Sequence, residues 1–396
     1  MGECFKMKKS KNVMFIIGNI RNGGAERALT NICNGLKDIH NIYLVVSDKR
    51  NYDFMPDVKV IEIPNLLGKH RKIIGIFELK KLKKELKIDI AISFITSNNI
   101  VNYFSKYKEK VVFSVRNFMS QKAKYDTKLI KACYNLVKNK TDLIVAVSES
   151  VRVDQINNFR VNPNKIITIS NFCNIKQIEK EASQRIEKDM KHLFQGKTII
   201  TSGRLHNQKG QWHTIRAFSK VVEEIPDAKL ILTGRGALED YYKKLIRDLK
   251  LENNVFLIGF VDNVYKYMKN SNIFLLNSFY EGMPNVILEA MACGLPIIST
   301  DSPGGSAEIL APNRKINSHV KKRYDAPYGI LIPICDGIKY TADDSLTKNE
   351  ILLANTMIDL LNDKAKQKHY SKMSLERIQN YSKENVIEKW NNIIEE

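Results

Sequence analysis

Residues 277–296 read NSFYEGMPNVILEAMACGLP and decide the interpretation of the chain. The stretch predicts a loop followed by a short helix, because Pro284 suits the first helical position and Gly294 stops the helix. Glu281 then lies on the loop beside the helix N-terminus, and Glu289 lies about 7.5 Å along the helix axis. Free N–H groups at a helix N-terminus attract an anion. An anion flanked by two carboxylates suits a phosphate ester of a polyol, and a nucleotide sugar has that shape.

The composition is that of an ordinary globular protein, with 396 residues of which 43% are hydrophobic and 27% charged. This length suffices for two domains with full cores. The six cysteines stand apart without a C-x-x-C pair, which argues for a reducing compartment and against a structural zinc site. No stretch reaches the ~18 apolar residues of a membrane span, and the apolar run after the first lysines is too short for a signal peptide. We therefore predict a cytoplasmic protein, peripheral on the inner face of the cytoplasmic membrane.

The net charge is +20, and residues 1–196 carry nearly all of the excess. A nucleic acid or an anionic membrane surface could balance such a half, and a merely solvated lysine-rich surface is the simpler alternative. Two basic helix candidates, residues 70–87 and 122–140, lie in this half. In the first, Ile73, Phe77 and other apolar residues contrast with lysines that are expected to be polar-facing. Such helices suit a membrane surface, but any helix packed on a sheet needs one buried face as well.

Short apolar runs alternate with longer amphipathic stretches along the whole chain, which is typical of parallel α/β sheets. The polar segment 174–196 has no β character and separates the two halves. Strands are predicted at 13–17, 43–46, 58–61, 88–94, 111–115, 143–147 and 166–169 before it, and at 198–201, 230–233, 255–258, 273–276, 297–300 and 330–332 after it.

The predicted organisation is two doubly wound Rossmann-like domains. The first domain covers residues 1–174, and the second covers 175–382, including the linker 175–196. A helix is predicted over 383–394, and the segment 383–396 is expected to pack back on the first domain. One face of this helix is apolar, with Val386, Ile387, Trp390 and Ile394. A ligand is expected between the domains, at the carboxyl ends of the strands.

Each half opens with a strand, a glycine-bearing turn and a helix. Gly23 and Gly24 in the first half allow a close approach of backbone to a ligand, although many glycine-bearing turns bind no ligand. The sequence has neither G-x-G-x-x-G nor a P-loop pattern. In the second half Arg204 and Lys209 follow a predicted strand, where a planar fork and a point charge together can hold a diphosphate.

A metal clamp for the diphosphate is not expected, since nowhere in the sequence are two aspartates separated by one residue. Arg204, Lys209 and a helix terminus worth roughly +0.5 charge would neutralise the diphosphate instead. Without those cations Glu281 would repel it.

The second-half motifs together resemble those of the retaining GT-B glycosyltransferases of family four, and the similarity covers most of the chain. They are Gly203-Arg204-Leu205…Lys209-Gly210, Gly234-Arg235-Gly236, Leu257-Ile258-Gly259-Phe260 and Glu281-Gly-x-Pro…Glu289-Ala-x-Ala-x-Gly294-x-Pro296. The resemblance implies the GT-B fold, with two Rossmann-like domains facing each other across a cleft, of which 1–174 would bind the acceptor and 175–382 the nucleotide-sugar donor. It also implies a hexosyltransferase that retains anomeric configuration, uses a nucleotide sugar, expected to be a UDP-sugar, and needs no metal or other cofactor.

The resemblance further implies residue roles. Glu281 would contact hydroxyls of the transferred sugar, Glu289 would bind the ribose diol, and Arg204 with Lys209 would hold the diphosphate and stabilise the leaving group. Glu281, Arg204 and Lys209 are thus the predicted catalytic residues. Further donor-binding positions implied by the family are Gly24, Val261, Asn263, Gly282, Met283, Pro284, Asn285 and Val286.

The sequence departs from the family after the strand predicted at 111–115. Many relatives carry a histidine there, near the sugar, and this chain has Arg116. Arginine cannot act as a general base at neutral pH. A contact of Arg116 with the sugar or with an acceptor phosphate, and a purely structural role, all stay open.

The predicted acceptor is a membrane-associated, lipid-linked saccharide, because the positive charge lies in the acceptor-side half. This would place the enzyme in the biosynthesis of a surface polysaccharide such as capsule or O-antigen, or of a glycoconjugate, with the inner-leaflet membrane surface as partner. A sugar-nucleotide epimerase or a phosphorylase of the same fold is the alternative. A nucleic-acid-binding protein would explain the charge, but it would leave the predicted site without purpose, and no RNA- or DNA-binding module is visible.

Overall fold

The structure is a computed structural model that describes residues 10–20, 23–48, 56–64, 66, 72–122, 128–316 and 318–396. The chain divides into two compact units. Unit 1 comprises residues 1–171 together with 383–396, and unit 2 comprises 172–382. Helices in the described part of the chain are all too short or too polar to cross a membrane.

Unit 1 is built on a parallel sheet of seven strands. The strands are β1 Asn12–Ile16, β2 Asn41–Val46, β3 Lys59–Glu62, β4 Ile90–Phe94, β5 Lys110–Val115, β6 Leu143–Ala146 and β7 Ile166–Thr168. Their order in the sheet is β3-β2-β1-β4-β5-β6-β7. The described helices are α1 Gly24–Leu36, α2 Lys72–Glu85, α3 Thr96–Phe104, α4 Met119–Lys122, α5 Lys128–Val137 and α6 Glu149–Phe159, with α15 Lys383–Glu395 from the end of the chain and a 3₁₀ turn at Pro163–Lys165.

The central strands of unit 1 are apolar throughout because they are buried on both faces, as parallel sheets are. All five residues of β4 are buried. Phe15 of β1 pairs in register with Leu44 of β2 and Ile92 of β4, so the core runs across the middle of the sheet. The seven strands predicted in this half are confirmed, with small shifts at their ends.

Unit 2 has a second seven-stranded sheet, in the order β10-β9-β8-β11-β12-β14-β13. Its strands are β8 Thr198–Ser202, β9 Lys229–Thr233, β10 Val255–Gly259, β11 Ile273–Leu276, β12 Ile297–Thr300, β13 Tyr324–Ala326 and β14 Gly329–Ile332. Its helices are α7 Ile175–Ala182, α8 Gln211–Glu224, α9 Glu239–Asp248, α10 Tyr265–Lys269, α11 Asn285–Ala292, α12 Ser306–Leu310, α13 Lys348–Asn362 and α14 Lys364–Arg377, with 3₁₀ turns at Lys191–Phe194, Asn207–Lys209 and Ile378–Tyr381.

The six strands predicted in the second half are confirmed, and the sheet has one strand more. β13 pairs antiparallel with β14 at the sheet edge. It has three residues, of which Tyr324 and Asp325 are exposed. So short and exposed a strand has no apolar run by which the sequence could predict it.

The predicted linker 175–196 is a folded part of unit 2. It contains α7, which packs on α10 and α11. Ile178 and Ala182 are the buried residues of α7. The absence of β character is confirmed, but these two apolar residues make the segment a packed helix rather than a bare connection.

The first basic helix candidate is α2, and its predicted faces are partly wrong. Lys83 is buried and its Nζ lies 2.8 Å from Glu109 Oε1, whereas Ile73 and Phe77 are 71% and 68% exposed. Residues 70 and 71 lie outside the described residues. The second candidate, 122–140, includes the end of α4 and all of α5, and residues 123–127 lie outside the described part.

The C-terminal helix is confirmed as α15, and it belongs to unit 1. Trp390 is fully buried and its ring stacks on that of Phe94, with 6.3 Å between ring centroids. The predicted apolar face is the buried face, to which the structure adds Ile393.

Candidate active site

The predicted site residues of the second half lie on loops at one edge of the unit 2 sheet. The loop after β8 carries Arg204 and Lys209, and the loop after β11 carries Glu281. β8 and β11 are neighbours, and between them the strand order reverses, since the chain runs from β8 to β9 and β10 on one side and returns at β11 on the other. Ligands of open α/β sheets bind at this switch point, outside the carboxyl ends of the strands.

Lys209 and Glu281 form an ion pair. Lys209 Nζ lies 2.6 Å from Glu281 Oε1, and their side chains are 14% and 10% exposed. Ser278 Oγ donates a hydrogen bond of 2.7 Å to the same oxygen. The sequence predicts one ligand for the two charged residues but does not predict that they pair with each other. The pair leaves two N–H groups on the ammonium for a further acceptor.

The two loops are bonded to each other at several points. Phe279 N donates to Gln208 O and Gln208 Nε2 donates to Tyr280 O, both at 2.8 Å. Asn277 Nδ2 donates to Gly210 O at 3.0 Å. Gly210 has φ +57°, and a Cβ there would lie 2.6 Å from the carbonyl oxygen of Asn277. The glycine after Lys209 therefore permits the approach that brings the ion pair together.

The loop after β12 supports Glu281 from the other side. Glu281 N donates to Pro303 O at 2.8 Å, and Gly305 N donates to Gly282 O at 3.0 Å. Gly304 has φ +123°, and a Cβ at this position would lie 2.1 Å from the carbonyl oxygen of Glu281. Only a glycine allows this contact between the two loops.

Helix α11 begins at Asn285, one residue later than predicted. Pro284 is its N-cap rather than its first residue, because a ψ of 95° places it in extended backbone. Gly294 has φ +76° and follows the C-cap, so the predicted stop is confirmed. Glu281 lies on the loop before the helix, as predicted, and Glu289 is a buried residue inside it.

Arg204 is exposed at the carboxyl end of β8. Its guanidinium makes no hydrogen bond or ion pair with the residues that the structure describes. The aliphatic part of the Lys209 side chain lies over Gly203, where a Cβ would be 3.2 Å from Lys209 Cε. Two cations, one paired and one exposed, thus flank the end of β8.

The remaining predicted donor positions fall into three groups. Gly282, Met283, Pro284, Asn285 and Val286 connect Glu281 to the first turn of α11, and Val261 is half-buried after β10. Gly24 belongs to unit 1, where it begins α1, and Arg116 belongs to unit 1 as well, directly after β5. The roles of all these residues stay predictions.

The side chain of Asn263 is occupied within unit 2. Its Nδ2 donates to Glu181 O at 2.8 Å and to Gln184 Oε1 at 3.0 Å. Its Oδ1 accepts from Tyr265 N at 3.0 Å and from Lys266 N at 3.3 Å. This geometry ties α10 to α7, so donor recognition at this position would fall to the backbone.

A buried polar cluster behind the Glu281 loop was missed by the sequence analysis. His213 Nδ1 lies 2.8 Å and Arg216 Nε 2.9 Å from Glu350 Oε1. Burial opposes the charge of Glu350, but hydrogen bonds from His213 and Arg216 lower its pKa to about 2. Phe279 of the Glu281 loop packs on Trp212 and His213, with ring centroids 5.5 and 6.0 Å apart. The capping box of Thr347 and Glu350 at the start of α13 was the available sequence signal.

The described residues contain no group of three or more His, Cys, Asp or Glu that could hold a metal ion. The charged side chains on the loops after β8 and β11 at the switch point are Arg204, Lys209 and Glu281. Two cations and two buried carboxylates can bind an anion together with a polyol.

Comparisons with known proteins identify the family of the chain. The family model described as Glycosyltransferase Family 4 matches residues 22–177, and the one described as Glycosyl transferases group 1 matches 183–326. An uncharacterized glycosyltransferase of Methanocaldococcus jannaschii is 32% identical over 334 residues, which are 81% of this chain and 82% of that protein.

A second relative is the N-acetylgalactosamine-N,N'-diacetylbacillosaminyl-diphospho-undecaprenol 4-alpha-N-acetylgalactosaminyltransferase of Campylobacter jejuni. It is 28% identical over 315 residues, which are 74% of this chain and 81% of that protein. Among solved structures, Anabaena Alr3699/HepE in complex with UDP superimposes with a TM-score of 0.77 at 18% identity, over 97% of this chain and 99% of that one. At this identity the likeness concerns the fold, which is GT-B. The chain therefore belongs to the family 4 type of GT-B glycosyltransferases.

Proposed function

We propose that this glycosyltransferase moves a hexose or N-acetylhexosamine from a UDP-sugar to a lipid-linked saccharide, with retention of anomeric configuration and without a metal. The observation that carries the donor part is the Lys209–Glu281 ion pair at the switch point of unit 2, with Arg204 exposed beside it. The HepE structure, a complex with UDP, supports a uridine nucleotide as donor.

The ion pair allows an anion and a sugar to be bound side by side. Lys209 can donate two further hydrogen bonds to the diphosphate, and Arg204 can add a planar fork from the same strand end. Glu281 Oε2 makes no hydrogen bond within the described part of the chain and can accept one from a sugar hydroxyl. The carboxylate does not repel the diphosphate, because Lys209 neutralises it.

We propose the following chemical step for a donor held by these residues. The bond between the anomeric carbon and the diphosphate oxygen breaks, and the acceptor oxygen bonds to the same face of that carbon. The acceptor proton moves to the departing phosphate oxygen. Lys209 and Arg204 stabilise the negative charge that develops on this leaving group, a type of effect worth about 3–4 kcal/mol per donor group in other enzymes.

The acceptor part of the proposal is supported by the Campylobacter relative, whose name gives a diphospho-undecaprenol-linked saccharide as acceptor. In unit 1, α2 exposes Ile73, Ile74 and Phe77 next to Lys80, Lys81 and Lys84, all of them accessible to solvent. Exposed apolar side chains beside lysines suit the surface of an anionic membrane. We therefore place the protein on the inner face of the cytoplasmic membrane, in the assembly of a surface polysaccharide or glycoconjugate.

The test incubates the full chain with UDP-glucose, UDP-galactose, UDP-N-acetylglucosamine or UDP-N-acetylgalactosamine and a polyprenyl-diphosphate-linked saccharide. Release of UDP together with a glycan longer by one sugar is expected, unchanged by EDTA, and NMR of the product should show the donor's anomeric configuration. Lys209→Ala is the inactive control.

An isomerised UDP-sugar formed without acceptor would contradict the proposal in favour of an epimerase. Release of a sugar phosphate from the glycan on addition of inorganic phosphate would favour a phosphorylase, and tight binding to oligonucleotides without binding to liposomes would favour a nucleic-acid-binding protein.

A further inference from the structure

Arg116 is a buried cation whose partners in the described part of the chain are all neutral. It is 6% exposed. Its Nη2 donates to Asn171 Oδ1, its Nη1 lies 3.5 Å from Ser114 Oγ, and its guanidinium carbon lies 5.0 Å from the centre of the Phe94 ring. Burial lowers the pKa of Arg116 to about 9, so the group stays charged at neutral pH.

Among the residues that the structure describes, no carboxylate supplies the counter-charge that burial of a guanidinium normally requires. Two other buried cations of the chain have one: Lys83 faces Glu109 at 2.8 Å, and Arg216 faces Glu350 at 2.9 Å. Since its hydrogen bonds to Ser114 and Asn171 use only part of its five N–H donors, the guanidinium of Arg116 can still donate to an anion.

The backbone beside Arg116 is strained. Ile95, which follows the neighbouring strand β4, has φ +76° and ψ 143°. Positive φ is unfavourable for a β-branched residue, and such strain is concentrated at binding and catalytic sites. Ile95 directly precedes α3, so the first N–H groups of this nine-residue helix lie at the same edge. The strand order of unit 1 reverses between β1 and β4, which makes this the ligand edge of the sheet.

Asn98 adds a further observation at this edge. Its Nδ2 donates to Phe94 O at 2.6 Å, but its Oδ1 is buried without a hydrogen-bond partner. An acceptor without a partner, at the same sheet edge as a cation without a charged partner among the described residues, suits a ligand that brings both a hydroxyl and a negative charge.

We infer that the carboxyl end of β5 in unit 1 binds a phosphoryl group, with the Arg116 guanidinium as its charged ligand. A guanidinium fork fits phosphate oxygens in pairs, and the phosphate supplies the negative charge that the described neighbours of Arg116 do not. The group belongs to the diphosphate of the acceptor or to that of the donor. Naming these two sources rests on the proposed function, whereas the anion site itself rests on the surroundings of Arg116.

The site can be tested apart from the cations of unit 2 and apart from catalysis. Inorganic pyrophosphate is titrated calorimetrically into the Arg204→Ala/Lys209→Ala variant, in which the predicted donor cations are absent. Binding is expected, and adding Arg116→Gln should weaken it about 10- to 100-fold, as expected for charge-assisted hydrogen bonds. Equal affinity of the double and triple variants would overturn the inference.

A stability measurement guards against a variant that folds poorly. Pyrophosphate should raise the Tm of the double variant but not that of the double variant carrying Arg116→Met, whatever the Tm of each protein without ligand. An equal pyrophosphate-induced shift in both proteins would show that Arg116 is only structural and would overturn the inference.

The source of the phosphoryl group is decided with the single Arg116→Gln variant, titrated with farnesyl diphosphate and with UDP. Loss of farnesyl diphosphate binding alone assigns the site to the acceptor, and loss of UDP binding alone assigns it to the donor. Unchanged binding of both ligands would overturn the inference. Because all of these measurements record binding, they stand even if no sugar transfer is detected.

Discussion

Lys209 Nζ lies 2.6 Å from Glu281 Oε1, so the cation expected to hold the donor diphosphate also fixes the carboxylate expected to contact the donor sugar. A change at either residue is therefore expected to disturb the binding of both the diphosphate and the sugar of the donor. The ion pair also joins the loop after β8 to the loop after β11, the two strands at which the order of the unit 2 sheet reverses.

Replacing either partner of this pair should abolish turnover. We expect Lys209→Ala and Glu281→Gln each to lower kcat at least about 100-fold, because one removes charge from the leaving group and the other removes the fixed carboxylate. Initial rates of UDP release measure this. The control is Lys220→Ala, since Lys220 lies on the surface of α8 in a pair with Glu224. Near-wild-type rates for either site variant would show that the pair is not part of the active site.

Gly304→Ala should impair catalysis beyond its effect on stability. Its Cβ would lie 2.1 Å from the carbonyl oxygen of Glu281, so the loop that carries the carboxylate must move. Gly196→Ala is the matched control, because its φ of +92° imposes similar backbone strain while the nearest atom, on Asp227, lies 3.5 Å away. Both variants should lose stability in urea denaturation, and only Gly304→Ala should lose activity. Equal activity of the two would mean that the contact with Glu281 does not matter.

Trp390→Ala should destabilise unit 1 by about 3–5 kcal/mol, because the side chain is fully buried and stacks on Phe94. The helix that carries it is also held at its end, where Lys11 Nζ donates to the carbonyls of Ile394 and Glu395 at 2.5 and 2.8 Å. Urea unfolding measures the loss of unfolding free energy. It is followed by circular dichroism of the backbone, because this signal does not depend on the tryptophan that the variant removes. Lys389→Ala, at the neighbouring exposed position, should leave the transition unchanged. A Trp390→Ala protein as stable as the wild type would exclude α15 as a structural part of unit 1.

Unit 2 should lose stability in acid, because Glu350 becomes protonated. Its folded pKa is about 2, below the value of 4.5 for a free glutamate, so its charge stabilises the fold above pH 4.5 and the contribution disappears as the pH falls to 2. Glu350→Gln should cost about 3–5 kcal/mol at pH 7, because Arg216 then stays buried without its carboxylate. The difference in unfolding free energy between the two proteins should shrink between pH 4.5 and 2. A difference independent of pH would contradict the depressed pKa.

Liposome flotation tests the exposed apolar face of α2. The double variant Ile73→Ser/Phe77→Ser should bind vesicles containing anionic lipid more weakly, because it removes two exposed apolar side chains. Its UDP binding should stay unchanged, because these side chains are 71% and 68% exposed and do not belong to the core. Ile351→Ser is the control, since Ile351 is 40% exposed on a helix of unit 2. Unchanged flotation of the α2 variant would argue against this face as the membrane contact.

Much of the fold could be predicted from local sequence. The thirteen predicted strands are present, because each is a short apolar run. Strands of a parallel sheet are buried on both faces and therefore need such runs. β13 escaped prediction, since pairing with β14 rather than its own composition makes it a strand. The predicted faces of α2 failed at Lys83, because a lysine with a buried carboxylate partner is as well accommodated as an apolar residue, and Glu109 is 26 positions away in the sequence.

The sequence by itself determined the family, the two α/β units and the segments that carry Arg204, Lys209, Glu281 and Glu289, because motif spacing and hydrophobic periodicity are local properties of the chain. The tertiary structure decided which charges meet. Lys209 and Glu281, 72 positions apart, pair only because β8 and β11 are neighbours at the switch point, and Glu350 neutralises Arg216 from 134 positions away. It also left Arg116 buried beside neutral groups. Contact between distant charges depends on the order of strands and the packing of helices, which no local pattern contains.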